Sequence, residues 1–125
     1  MALTNARPVA FVMTKDRKAA EAFYDQTLAL ARGPEEPHCA VFDLAGTELR
    51  ITESGDHTPS PHPVLGWDVP DLEATVTTLA DKGVRCTIYE GMGMDERGIW
   101  TSPDGQSKIA FFPDPDGNIL ALSQG

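Results

Sequence analysis

Apolar and polar positions along this chain fall into a pattern that occurs twice. Val9–Thr14 is a short apolar run, and Asp16 follows it. Ala20, Phe23, Tyr24, Thr27 and Leu28 then recur at the spacing of one helix face. Val64–Val69 is again an apolar run, followed by Asp71, and Leu72, Thr75, Val76 and Leu79 again keep helical spacing. Asp16 and Asp71 suit N-caps, because a carboxylate accepts from the orphan amides of a first turn. Gly83 suits the residue just past the second helix. Each half therefore begins strand–helix.

Strands follow in both halves. AVFDL and TELRIT flank Ala45-Gly46, a hairpin signal, and a short strand-like piece lies near Leu30–Arg32 before Gly33-Pro34 cuts it off. In the second half RCTIYE (85–90) reads as a strand after the helix. GIWTS and SKIAFF flank Pro103-Asp104-Gly105-Gln106. The last reversal is FFPDPDGNILALSQ (111–124): Pro115 presets φ, Gly117 supplies a positive φ, and Ile119–Leu122 resumes an apolar strand. The reading is α+β: two β-α-β-β-β modules forming a curved mixed sheet around a cleft, with helices outside. Residues 1–125 make one domain, with module one at 1–53, a linker rich in Pro, Ser and charge at 54–63, and module two at 64–125.

Composition narrows the partners. The 125 residues suffice for a modest core, and a formal net charge of −9 speaks against nucleic acid or an anionic membrane as a partner. No apolar stretch approaches membrane-spanning length, and MALTNARPVAFVM lacks the layout of a signal peptide. A cytoplasmic protein is the expectation. Cys39 and Cys86 stand far apart, outside any C-x-x-C motif, and read as reduced, buried thiols.

Three stretches carry a family resemblance: VMTKDRKAAEAFYDQTLAL (12–30), with Asp16, Tyr24 and Leu28 in a D-x(7)-Y-x(3)-L pattern; GWDVPDLEATVTTLADKGV (66–84); and PDPDGNILAL (113–122). Together with the repeat they resemble the vicinal oxygen chelate superfamily of glyoxalase I, bleomycin-resistance proteins and extradiol dioxygenases. One departure is Ala29, where that family usually has glycine; a positive φ there would carry strain. In metal-dependent members, His, Gln or Glu ligands come from the first and last strand of each module. Carried over by register, those positions are Val9, Arg50, Val64 and Ala121, none of which ligates a divalent ion. The resemblance thus implies no metal and no cofactor here. It also implies a homodimer.

Strand alternation assigns side chains to the cavity face. With Val9 facing in, so do Phe11 and Met13, while Ala10, Val12 and Thr14 face the helix. Arg50 brings Glu48 with it, and the Ala45-Gly46 turn sets Asp43 opposite Glu48 and Val41 opposite Arg50. Phe42 and Leu49 pack under the helix. Val64, Gly66 and Asp68 face in and Trp67 joins the core. A symmetric turn at 103–106 sets Trp100 opposite Ile109; Phe111, Ile119 and Ala121 share that face. The candidate ligand-binding residues are therefore Phe11, Met13, Glu48, Arg50, Asp68, Trp100, Ile109, Phe111 and Ala121. A mostly apolar wall with a few aimed polar groups suits a small-molecule ligand. Each apolar member has a competing reading as plain core, and Arg50 reads either as a rim partner of Glu48 or Asp43 or as the binder of a carboxylate or phenolate. His57 and His62 read as solvated linker residues, and His38 as a strand start. Met92-Gly93-Met94 lies in a loop (92–98) that reads as mobile and adaptable to a ligand. The Gly-x-Gly there precedes no helix and is no phosphate loop.

Three functions fit. The first is a metal-free protein that binds an apolar or aromatic small molecule. The second is a glyoxalase-like lyase or isomerase, which needs metal ligands not found above. The third is a metal-independent enzyme with Glu48 or Asp68 as base and Arg50 as oxyanion partner.

Overall fold

The computed structural model describes residues 2–125. It holds two compact units, Met1–Thr58 and Pro59–Gly125, each with its own four-stranded mixed sheet.

In the first unit, β1 (Val9–Thr14) leads into α1 (Arg17–Ala22), then β2 (Ala31–Arg32), β3 (Ala40–Leu44) and β4 (Thr47–Glu53). The strand order is β1-β4-β3-β2, with β1 parallel to β4 and the other pairs antiparallel. Asp16 caps α1 as its sequence suggests, accepting from the Ala19 amide at 3.2 Å. α1 then loosens into a π-helical turn over Phe23–Thr27, closed by the Leu28 amide on the Phe23 carbonyl. That turn ends at Ala29 with φ 58°, and the Leu30 amide returns to the Tyr24 carbonyl. This is a helix C-terminus that wants glycine. Ala29 is exposed, so Ala29→Gly removes Cβ strain without opening a hole. The expected gain is about 1 kcal/mol, or roughly 4 °C in melting temperature, read by thermal unfolding.

The buried layer of this unit comprises Val12, Thr14, Ala20, Tyr24, Ala40, Phe42, Leu49 and Ile51. Val12, Thr14, Phe42 and Leu49 are the helix-side positions of the sequence alternation, and Ala40 and Ile51 continue it, whereas Ala10, expected with them, is only half-buried. Ala20 and Tyr24 come from α1 and the π turn. Phe23 meets Tyr24 edge-on at 5.3 Å between centroids, and Tyr24 lies 6.2 Å from Phe42. Glu21 clips α1 to β2 through Arg32 (2.7 Å) and pairs with Arg17 one turn back on the same helix (3.1 Å).

The second unit repeats the plan with β5 (Pro63–Asp68), α2 (Leu72–Asp81), β6 (Trp100–Thr101), β7 (Lys108–Pro113) and β8 (Ile119–Gln124), ordered β5-β8-β7-β6. Asp71 caps α2 by accepting from the Ala74 amide at 3.1 Å, and Gly83 follows the helix with φ 86°. Leu72, Val76 and Leu79 bury one helix face against Ala110, Phe112, Leu120 and Leu122. Trp67 departs from the expected core position. It is only half-buried, near the exposed edge of the sheet where β5 pairs with β8 alone.

RCTIYE does not form a strand. It runs beside β7 with one ladder bond, the Thr87 amide to the Phe111 carbonyl at 2.7 Å. The reason is competition for one edge. β6 takes the same side of β7 at Ile109 and Lys108. The loop before β6 also folds back so closely that a Cβ on Gly98 would stand 3.0 Å from the Thr87 carbonyl oxygen. Residues 95–99 are pinned, since the Asp95 carboxylate accepts from the Arg97 and Ile99 amides, each at 2.9 Å.

Glu73 ties the first turn of α2 to the sheet through Lys108 (2.7 Å) and to the loop through Arg97 (2.6 Å). Hydrogen bonds from Lys108 and Arg97 lower its pKa to about 2. A carboxylate whose folded pKa is depressed stabilises the fold above its unfolded value, and that stabilisation is lost as pH falls through the folded one. Glu73→Gln is therefore expected to flatten the acid limb of stability between about pH 4.5 and 2, measured by urea unfolding at stepped pH. Both partners are solvated, so the change is small.

Candidate functional site

Each sheet buries one face under its helix, while the other face is less covered: Phe11 is exposed there, and Met13, Trp100, Ile109, Phe111 and Ala121 are half-buried. On the open face of the first sheet, β1 and β4 run in register with Val9 beside Glu48, Phe11 beside Arg50 and Met13 beside Thr52. The Ala45-Gly46 hairpin sets Asp43 opposite Glu48 and Val41 opposite Arg50, as its sequence suggests. Ala45 has φ 52° and Gly46 φ 104°, the two left-handed residues of a type I′ turn. Asp43 is taken up by that turn, its carboxylate accepting from the Gly46 amide at 2.8 Å. Arg50 accordingly pairs with Glu48, through Nε and Oε2. That hydrogen bond holds the guanidinium pKa above its ordinary value. The guanidinium carbon also stands 5.9 Å from the Phe11 ring centroid. Phe11 itself is 61% exposed.

The open face of the second sheet is more apolar. Trp100 stands opposite Ile109 and Phe111 opposite Ala121, again as the turn at 103–106 suggests. Pro113 pairs with Ile119. Gly66 lies beside Ala121, whose carbonyl oxygen would stand 3.0 Å from a Cβ there. A side chain there would push β5 and β8 apart by a few tenths of an ångström. Asp68, beside Ser123, accepts from its hydroxyl at 3.2 Å. One assigned position moves: Val64 falls at a register shift between Pro63 and Leu65, so β5 is bulged there and Val64 has no strand partner.

Sequence reasoning missed three contributors. Tyr89, from the segment read as a strand, packs edge-on against Phe111 at 5.7 Å between centroids. Asp114 and Asn118, read only as part of a turn, are buried and organise it. The Asp114 carboxylate accepts from the Asp116 and Asn118 amides (each 2.9 Å) and from the Asn118 side-chain amide (2.8 Å). The third is a groove of about 370 Å3 beside α2, lined by Val76, Ala80, Val84, Cys86 and Ile88, with Asp81, Glu96, Arg85 and Arg97 also on its walls. Burial and the nearby Asp95 push the Cys86 thiol pKa up, disfavouring the thiolate. Cys39 and Cys86 are both free thiols, but only Cys39 is buried as expected; Cys86 is half-buried because it lines this groove. Met94 is engaged by its own loop, its sulfur accepting from the Tyr89 amide at 3.4 Å.

Among the described residues, no group of three or more His, Cys, Asp or Glu side chains is placed to hold a metal ion. Of the four positions to which the sequence resemblance assigns metal ligands, Arg50 is an arginine already paired, Val64 a valine in a bulge, and the others are Val9 and Ala121. The donors present do not fit a divalent cation at those positions. Among the described residues no helix is long and apolar enough to cross a membrane.

No protein-family model matches the chain. No curated protein matches it either. Solved structures do resemble it. A glyoxalase-family protein of Bacillus anthracis superposes with a TM-score of 0.75 at 15% identity, over 97% of this chain and 95% of its own. Lactoylglutathione lyase of Agrobacterium tumefaciens gives 0.72 at 17% identity, over 97% and 94%. A glyoxalase/bleomycin resistance protein of Catenulispora acidiphila gives 0.69 at 26% identity, over 95% and 97%.

Proposed function

Starting from a chain with the fold of the glyoxalase and bleomycin-resistance proteins, we propose that it binds an apolar or aromatic small molecule without a metal. The observation that carries this reading is the make-up of the open sheet faces. They present Phe11, Met13, Trp100, Ile109, Phe111 and Ala121, with Arg50, Glu48 and Asp68 as the polar groups. On a sheet face with no ligand to meet, solvent-facing positions are ordinarily polar. Covering ~200 Å2 of ligand surface at ~25 cal/mol/Å2 yields about 5 kcal/mol before ordering costs, enough for weak to moderate affinity.

The register positions that would carry metal ligands favour this reading over a lyase of the glyoxalase type. The test uses chelator-dialysed protein and a panel of mono- and bicyclic aromatics, followed by tryptophan fluorescence and melting temperature. Trp100 lies on an open face, so saturable quenching with a rise in melting temperature is expected for at least one class. A flat response across the panel overturns the proposal. A stoichiometric divalent ion retained through gel filtration overturns its metal-free part.

A further inference from the structure

The open face of the first sheet sets one aromatic ring in solvent and lays one guanidinium against it. Phe11 is 61% exposed, an unusual position for a phenylalanine in the middle of a strand. Arg50, its neighbour on β4, places its guanidinium carbon 5.9 Å from the ring centroid. Glu48, two residues earlier on the same face, takes the Nε hydrogen. Among the described residues Nε makes the only hydrogen bond of this guanidinium. The terminal pair, Nη1 and Nη2, keeps its donors for another acceptor. An arginine oriented through Nε and steadied by a ring presents that terminal fork in the geometry that matches a carboxylate. Val9 and Met13 flank Phe11 along β1, so the ring sits within an apolar strip.

We infer that this patch takes a planar aromatic monocarboxylate, the ring of the ligand lying on Phe11 and its acid group on the Nη fork of Arg50. The inference rests on the small-molecule reading above and specifies its ligand class. Net charge does not explain such a preference: the chain carries −9 overall, and Glu48 offsets Arg50 locally. Recognition is by the shape of the donor pair. An acid is therefore distinguished from its neutral amide, which has the same outline but cannot accept two equivalent charged hydrogen bonds.

The experiment titrates the full chain with 2-naphthoate and with 2-naphthamide by calorimetry. The native protein is expected to bind the acid about tenfold tighter than the amide. Arg50→Met is expected to bring that ratio to about one while leaving the melting temperature within the range of a surface substitution. Glu48→Gln keeps an acceptor for Nε and removes a negative charge beside the acid, so it raises the ratio severalfold. Equal binding of acid and amide by native protein overturns the inference and leaves the small-molecule reading standing. So does a preference for the acid that survives in Arg50→Met. Failure of both probes to bind overturns the inference, and the fluorescence panel then decides the broader reading.

Discussion

Asp114→Ala is expected to cost the second unit about 3 kcal/mol, as large an effect as a core truncation. The Asp114 carboxylate is 5% exposed and accepts three hydrogen bonds, two from backbone amides and one from the Asn118 side chain, which is 2% exposed. Alanine removes both carboxylate oxygens, and with them all three bonds. The buried Asn118 amide group loses that bond, and bonds lost inside a buried network cost more than exposed ones. Asp114→Asn keeps an acceptor for the backbone amides but turns an NH2 group or a single oxygen toward Asn118, so it loses less, about 1–2 kcal/mol. Urea unfolding reads both, with an unchanged slope marking a loss of stability alone. A change under about 0.5 kcal/mol for Asp114→Ala, typical of an uninvolved surface site, contradicts this account.

Phe42→Ala and Phe11→Ala are expected to behave oppositely, although both remove a phenylalanine from one sheet. Phe42 is fully buried, lies 6.2 Å from the Tyr24 ring and carries the Arg32 guanidinium 5.3 Å from its centroid. Truncation there loses the transfer energy of the ring and leaves a cavity, about 4 kcal/mol in all. Phe11 stands in solvent on the opposite face, so its truncation changes stability by about 0.5 kcal/mol or less. It is expected instead to abolish the melting-temperature rise produced by an aromatic ligand. Denaturation and ligand titration of the two variants check the pair. Similar destabilisation by both would mean that the two faces had been assigned wrongly.

That pair of variants also marks what was legible in the sequence. Side-chain alternation is tied to turn geometry, so once Ala45-Gly46 is read as a two-residue hairpin, every residue of β3 has its face and its partner on β4. The same logic placed Trp100 opposite Ile109 from the turn at 103–106. Asp16, Asp71 and Gly117 were legible because caps and tight turns need particular side chains or glycine.

Four features were not legible, each because it depends on something beyond local pattern. Residues 85–90 have strand composition, but β6 and the fold-back at Gly98 compete for the edge they would have used. The π-helical turn after Ala22 keeps the same residue types as an α-helix while shifting the bonding by one residue. Val64 reads as a cavity-facing residue because alternation assumes an unbroken ladder, and β5 carries an extra residue at that point. The buried role of Asp114 was hidden because aspartate in a PDPDG turn is ordinarily solvated. For the candidate site, the register was readable, while the Arg50–Phe11 contact and the packing of Tyr89 on Phe111 required coordinates.

The parallel pairing of β1 with β4 has a consequence for biosynthesis. Everything between them, from α1 to β3, must be translated before β1 finds its partner. The β3–β4 hairpin is local and can close within microseconds, whereas the parallel zip waits for a long loop to be brought together. A nascent chain therefore carries the apolar stretch VAFVM (9–13) unpaired while the ribosome finishes the module. The same delay recurs with β5, which waits for β8 until α2, β6 and β7 have been made. Chaperone demand during synthesis should accordingly fall in two separate intervals, one for each half.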